Sequence, residues 1–433
     1  MGNNKSMSFQ LITSFSTKFV VLLGSFVISI ILARILGPEG KGIITAVFVV
    51  PNLIISLADL GIRQATAYYV GKKLYPLQDV FSSILVMWGI TSSIAIFIVT
   101  FYFFTGASGI YGWSLLIIVL ISIPLNLLNN YISGVLLGKE RIGSINLKDL
   151  LSLVVNLISI LILVWFLDLG VIGAAVTQVL IALFVSIYLL LILKKLVRFR
   201  FKVIESLPVL LMKKGISYAL ALFVINLNYK IDIIFIEKLM TPSDVGIYSI
   251  GVALSELVWQ LPAVIGMVLF AKSANSKSDI VAVERTTRLL RISWIPLTVI
   301  CFALWIFSPL FISVLYGEEF ISGVSVIRWL VPGILIMVLF KILNADLAGR
   351  GYPLFALRVY LITLGLNIIL NIFLIPKMGI DGAALASSLS YIVGGFSFGY
   401  VYKKKNSIKF SSLFILNIED INMMKNLLKK LKK

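Results

Sequence analysis

Lys18, Lys230 and Lys341 each stand inside a long apolar run of the chain, where an ammonium group meets hydrocarbon rather than water. A charge at the centre of a membrane span costs about 2.5–3.5 kcal/mol on insertion scales, so such groups turn toward a bundle interior or a wet cavity. Their natural chemistry is non-covalent capture of an anion. Ser14, Lys18, Ser25 and Ser29 fall within about 60° of one another at 100° per residue, a single polar stripe on an apolar rod. Further on, Asn226, Lys230 and Glu237 share one helix face while Asn228 and Asp232 share a different one, so that helix must meet polar surroundings on two sides. Asn126, Asn130 and Ser133 make another stripe, Glu256, Trp259 and Gln260 lie together, and Arg328, Lys341 and Asp346 occupy one further run. The amides offer hydrogen bonds, Trp259 a stacking face, and Asp232, Glu256 and Asp346 the carboxylates a coupling ion would meet.

Other chemistries are excluded by what is missing. The chain has no histidine, which removes imidazole bases, Ser-His-Asp arrangements and His-bearing metal sites. Its one cysteine, Cys301, reads as a small buried apolar group. There is no Gly-x-x-x-x-Gly-Lys-Ser/Thr run, which argues against direct ATP hydrolysis. No metal or cofactor is expected.

These residues need elements to hold them, and composition says what kind. With 60% hydrophobic and 13% charged residues and a mean hydropathy of +1.05, the chain has too little polar surface for a water-soluble globule. Apolar runs long enough to cross a bilayer lie at about 13–36, 43–62, 80–104, 113–137, 148–167 and 171–193, then 215–239, 245–271, 292–315, 324–346, 355–375 and 380–402. They are continuous and Leu/Ile-rich, without the alternation of membrane strands. The expected fold is therefore all-α integral membrane with twelve transmembrane helices.

The chain repeats itself. Ile31–Ile43 aligns without a gap on Phe235–Ile247, placing Pro38 on Pro242, Gly42 on Gly246 and Arg34 on Lys238. Gly138 and Asn156 fall on Gly349 and Asn367, and Gly170-Val-Ile-Gly-Ala-Ala falls on Gly379-Ile-Asp-Gly-Ala-Ala. Basic residues collect in alternate loops, at Lys72-Lys73, Lys139 and Arg141, Lys194 to Lys214, Arg285 to Arg291 and Lys403-Lys404-Lys405, which by the positive-inside rule puts both termini in the cytoplasm. Each half then starts and ends inside, giving two parallel six-helix bundles, at 1–200 and 201–405, around a central cavity lined by the equivalent first and seventh spans. The net charge of +19 is a topology signal rather than a nucleic-acid footprint. Residues 406–433 read as a basic amphipathic tail on the cytoplasmic leaflet, with a frayed solvated tail as the competing reading.

Alternatives stay open at single residues. Lys18 is near enough to its cytoplasmic end to snorkel. Asp59 and Arg63, four apart, suit a local ion pair; Arg34 and Lys238 suit outer-end anchors; Arg328 suits the outer interface. Arg34, Asp59, Arg63, Lys238 and Arg328 are assigned structural or gating roles.

Leu32-Ala-Arg-Ile-Leu-Gly-Pro-Glu-Gly-Lys-Gly42, Leu57-Ala-Asp-Leu-Gly-Ile-Arg-Gln-Ala65, Leu-Pro-Ala-Val at Leu261, the Phe270-Ala-Lys-Ser edge and Gly-Ile-Asp-Gly-Ala-Ala at Gly379 resemble the polysaccharide biosynthesis (Wzx-like) flippases. These belong to the superfamily that also holds MATE exporters and lipid II flippases. The resemblance covers residues 8 to 405. It implies a transporter, not an enzyme, that moves a polyprenyl-pyrophosphate oligosaccharide across the bacterial inner membrane by alternating access, for O-antigen, capsule or exopolysaccharide. Lys18, Lys230 and Lys341 would then meet the pyrophosphate, and Asn126, Asn130, Asn226, Trp259 and Gln260 the glycan. Implied partners are membrane lipids, a glycan polymerase and chain-length machinery. The alternatives are a cation-coupled MATE-type drug exporter, a lipid II flippase and, less favoured, a membrane glycan polymerase.

Overall fold

The computed structural model describes residues 7–197, 204, 206–276, 278–352 and 354–420. Among these the secondary structure is helical throughout. In chain order the helices are α1 (Met7–Ala58), α2 (Ile62–Gly71), α3 (Leu77–Tyr102), α4 (Ser108–Gly138), α5 (Ile142–Ser159), α6 (Gly170–Leu196) and α7 (Ser206–Leu239). They continue as α8 (Pro242–Glu256), α9 (Gln260–Ala274), α10 (Asp279–Leu315), α11 (Gly323–Gly349), α12 (Leu354–Met378) and α13 (Ile380–Asn406). Among the described residues, eleven apolar helical stretches are long enough to cross a membrane. The first, Thr13–Gly71, holds two of the expected spans, because α1 is broken at Gly37 (φ 65°). Twelve spans are thus accommodated. Large apolar side chains such as Phe97, Phe302 and Phe373 are more than 60% exposed, which suits lipid as the surrounding medium.

The sequence repeat has a local structural meaning. Pro38 follows the break in α1, and its counterpart Pro242 takes the first position of α8, behind an N-cap in which the Asp244 N–H donates to Thr241 Oγ1 at 3.3 Å and Asp244 Oδ2 accepts from the Thr241 N–H at 3.1 Å. Gly170 (φ 51°) and Gly379 (φ 60°) both turn the chain through the left-handed region just as α6 and α13 begin. These two repeated pairs, Pro38/Pro242 and Gly170/Gly379, fall where the backbone changes direction.

The chain divides into two compact units, Met1–Asn226 and Leu227–Lys433. Sequence placed the division at 200/201, in the loop before α7; the units part instead within α7. The reason is packing: Leu207 and Leu211 of α7 join the core formed by Ile62, Ile84, Tyr131, Ile132 and Leu189. Gly215 seats directly on Gly61, where a Cβ would stand 2.1 Å from the Gly215 carbonyl oxygen. In the second unit α11 is the central element, packed against α8, α9, α10 and α13, with two-thirds of its membrane-length window buried.

Two helices overrun the membrane limits read from hydropathy. α7 starts at Ser206 and α10 at Asp279, because helix propensity does not stop where apolarity does. The extra turns of α10 carry Arg288 and Arg291. Arg291 donates to Asp420 through Nε (2.6 Å) and Nη2 (3.1 Å), and its Nη1 donates to the Ser412 carbonyl at 2.9 Å. Trp294 Nε1 donates to the Leu413 carbonyl at 3.1 Å and stacks on Phe414. Leu413, given to the lipid surface in the sequence reading, is buried by the protein itself. The first part of the tail is thus a strap held by the protein; residues 421–433 lie outside the described residues.

Burial raises the Asp420 carboxyl, but the hydrogen bond and charge of Arg291 and the Asn417 N–H outweigh it and hold the group below the usual carboxylate range. A depressed carboxylate contributes stability that is present above its unfolded pKa and lost as pH falls through the folded one. A spin label at Ser411→Cys should stay immobilised at pH 5 and become mobile only well below pH 4, near the ordinary aspartate value. In an Asp420→Asn background it should be mobile at every pH. At the α2–α7 contact, Gly215→Ala should destabilise the detergent-solubilised protein by about 1–3 kcal/mol, the usual cost of overpacking. Gly89→Ala, with open space around it, should leave the unfolding midpoint unchanged.

Candidate functional site

A buried polar cluster of the second unit is built on Asp232, which is 2% exposed in the C-terminal third of α7. Tyr248 from α8 donates to its Oδ2 at 2.7 Å, Asn371 from α12 donates to Oδ1 at 2.9 Å, and Ser387 from α13 donates to Oδ2. Asn367 donates to Ser387 Oγ at 3.3 Å, and Asn228 to Thr363 Oγ1 at 3.3 Å. Among the described residues, every hydrogen bond to this carboxylate comes from a neutral donor. Asn228 Oδ1 and Asn371 Oδ1 are buried with no hydrogen-bond partner. A carboxylate and two unpaired amide oxygens in one buried neighbourhood form a donor set suited to a proton or a hard monovalent cation.

A second cluster joins α7, α8 and α12 to α11 and to the turn between α8 and α9. Lys341 Nζ is 4.0 Å from the centre of the Trp259 ring and 5.3 Å from that of Tyr229, and it donates to Tyr229 Oη at 3.4 Å. Tyr229 and Tyr360 share a hydroxyl hydrogen bond of 2.6 Å. Both Lys230 and Lys341 act electrostatically on the half-buried Glu256. The structure therefore brings together Lys230, Lys341, Glu256 and Trp259, four of the residues singled out from sequence.

Other assignments change. Trp259 does not present a free stacking face: it is 6% exposed, packed on Tyr229, Tyr391 and Lys341, and donates Nε1 to the Ile334 carbonyl at 3.1 Å. Asp346 is not an available coupling carboxylate. It is fully buried and saturated by Arg350 at 2.7 Å, Ser273 at 2.6 Å and Tyr402 at 2.8 Å. Arg328 repairs the backbone: Pro309 has no N–H for the Trp305 carbonyl, and Arg328 Nε (3.5 Å) and Ser308 Oγ (3.0 Å) approach that oxygen instead. Gln260 is exposed beside Trp259.

In the first unit, Lys18 is exposed and Ser14 Oγ accepts from Asn146 of α5 at 3.2 Å. Asn126 donates to the Ser122 carbonyl of its own helix, and Asn130 is half-buried. Their unselected neighbour Asn129 ties α4 to α6, donating to the Ala182 carbonyl at 2.9 Å and accepting from Ser186 at 2.8 Å. Asn226 donates to Ser56 Oγ at 3.0 Å. Asp59 is buried at the end of α1, four residues before Arg63, whose charge acts on it. Arg34 and Lys238 are exposed ends of α1's first half and α7.

Asn367, Asn371, Ser387 and Tyr248 were not selected from sequence as site residues. Asn367 and Asn371 stand one helical turn apart in an apolar span, which was the available signal; a search ranked by charge passes over amides.

The family profile described as polysaccharide biosynthesis protein matches residues 11–270. The probable low-salt glycan biosynthesis flippase Agl15 of Haloferax volcanii is 25% identical over 182 residues, 41% of this chain and 39% of that protein. The matched stretch thus spans about two-fifths of that relative. By fold, the chain is similar to an inward-facing multidrug resistance MATE family transporter of the MOP superfamily, with a TM-score of 0.70 and 16% identity over 92% of this chain and 98% of that one. It is equally similar to the lipid II flippase MurJ in an inward closed conformation, with a TM-score of 0.71 and 18% identity over 93% of this chain and 91% of that one.

The two buried carboxylates should respond differently to neutralisation. Asp346→Asn removes the buried carboxylate of Arg350 and leaves it only the exposed Asp279 at 3.3 Å, so it should lower stability by up to about 3–5 kcal/mol, the usual cost of breaking a buried pair. Asp232→Asn removes no cation's partner and should cost clearly less. Thermal unfolding of both variants in one detergent checks this ordering.

Proposed function

Because the chain belongs to the polysaccharide biosynthesis protein family, and so is a multi-pass membrane transporter rather than an enzyme, we propose that it is a flippase for a polyprenyl-pyrophosphate-linked oligosaccharide. The substrate moves from the cytoplasmic to the outer leaflet by alternating access, with both termini cytoplasmic, in a prokaryotic plasma membrane. The observation that supports this most is the pair of in-span lysines, Lys230 and Lys341, whose charges both act on Glu256, with the Lys341 ammonium lying over Trp259. An anionic pyrophosphate needs cations where water is scarce, whereas a cationic drug would be repelled there. The polyprenyl tail never has to leave lipid, while the hydroxyl-rich glycan cannot cross about 30 Å of hydrocarbon unaided. In the first unit Lys18, Asn126, Asn130 and Asn226 are the polar groups assigned to the substrate, and in the second Gln260 stands beside Trp259. Asp232 is the assigned coupling carboxylate, and Glu256 is the internal counter-ion that the substrate's phosphates displace.

One observation favours a second reading, a cation-coupled exporter: Asp232 is a lone carboxylate among neutral donors. Gradient-dependent efflux of an ethidium-like dye, lost in Asp232→Asn, would establish that reading and remove the first.

The decisive experiment uses spheroplasts of cells lacking the protein and an externally added glycosidase. The lipid-linked oligosaccharide should stay protected until the membrane is broken. Restoring the protein should restore access, while Lys230→Gln and Lys341→Gln should each cut the initial rate by about tenfold or more, as for loss of a charge-assisted contact of about 1.5–3 kcal/mol. Unchanged access without the protein defeats the proposal.

A further inference from the structure

Where α12 begins and α13 ends, three cations sit on aromatic rings. Arg358 Cζ is 5.9 Å from the Phe355 ring, Lys403 Nζ is 5.7 Å from the Tyr400 ring, and Lys405 Nζ is 4.2 Å from the Tyr352 ring. Tyr352 in turn meets Phe355 edge-on at 6.3 Å. Among the described residues none of the three pairs with a carboxylate. Asp279 and Asp346 are both engaged by Arg350, at 3.3 and 2.7 Å. Aromatic faces therefore hold the charges in place without neutralising them.

Directly beside them, α12 and α13 leave a groove open to the lipid, walled by Phe355, Val359, Ile362, Phe396 and Tyr400, with Arg358 and Ser397 as its polar groups. Ile362 and Tyr400 are about 60% exposed. Phe396 continues the wall toward Phe410 and Phe414 of the tail strap, 6.4 Å from each ring. Arg358 lies one turn inside the start of α12, and Lys403 and Lys405 lie in the last turn of α13, so all three cations stand at the same end of this antiparallel pair. That is the level of a lipid headgroup, with the apolar groove running from it into the membrane.

We infer that this groove binds an anionic phospholipid, with its phosphate among Arg358, Lys403 and Lys405 and one acyl chain along the aromatic wall. A zwitterionic lipid would bring its own ammonium to a site that already has three cations and no acid. The site is separate from the lysine cluster around Glu256 and does not depend on what the protein transports.

The test is native mass spectrometry of the full chain released from nanodiscs of phosphatidylcholine and phosphatidylglycerol with identical acyl chains. Phosphatidylglycerol should be retained in preference. Arg358→Gln should reduce that retention by about fivefold, the effect of one basic residue on an anionic lipid, and leave phosphatidylcholine unaffected. Arg358→Lys should keep most of it, and Phe396→Ala should weaken retention of both lipids. Lys272→Gln, an exposed charge on α9, serves as the control for net charge and should change nothing. The inference is overturned if Arg358→Gln leaves the lipid ratio unaltered, or if Lys272→Gln lowers it equally. It is also overturned if soluble glycerol phosphate displaces the lipid completely, for then the groove contributes nothing. Unchanged thermal unfolding of Arg358→Gln separates a lost site from a lost fold.

Discussion

Hydrocarbon offers no hydrogen bonds, and that single refusal organises the molecule. Every polar group placed in a span must find its partner within the protein, and each partnership fixes the approach of two helices. Asn129 shows the rule at its simplest: its amide closes on α6 at both ends, so α4 and α6 meet at one register only. Asp232 applies it to three helices at once, since Tyr248, Asn371 and Ser387 come from α8, α12 and α13. The apolar contacts supply adhesion, but lipid competes for them on equal terms. Polar contacts decide which helix sits beside which.

The same rule separates structural charges from those left over for function. Arg350 and Asp346 satisfy one another and are further tied to Ser273, Tyr402 and Asn406. Arg328 is spent on a carbonyl orphaned by Pro309. Lys341 has only a tyrosine hydroxyl, two aromatic faces and a distant carboxylate, and Asp232 has only neutral donors. Those two groups are under-compensated for their depth, and they are where a moving ion or a charged substrate has most to gain.

How much of this was legible in the chain depended on whether a residue acts through its neighbours in sequence or across space. The spans, the break near Pro38, the capped start of α8 and the turns at Gly170 and Gly379 are local events, and the residues that make them could be read directly. Lys341 and Lys230 stood out because a charge in an apolar run is conspicuous. The surroundings of Trp259 and Asp346 were not legible, because they depend on Tyr391, Ile334, Tyr402 and Ser273, residues that only the fold brings near. The tail strap was hidden for a related reason: Asp420 and Arg291 are far apart in sequence, and basic amphipathic patterning around them pointed to lipid.

Helix α7 belongs to both compact units, and this sets a condition on how the chain can change. Gly215 must face Gly61, and Asp232 must face Asn371 and Ser387, from one continuous rod. Inserting or deleting a single residue between them would turn one face by about 100° relative to the other. Between Gly215 and Asp232 residues can be exchanged, but a change in their number would move these two faces around the helix axis, so the length of this stretch should be the least negotiable quantity in α7.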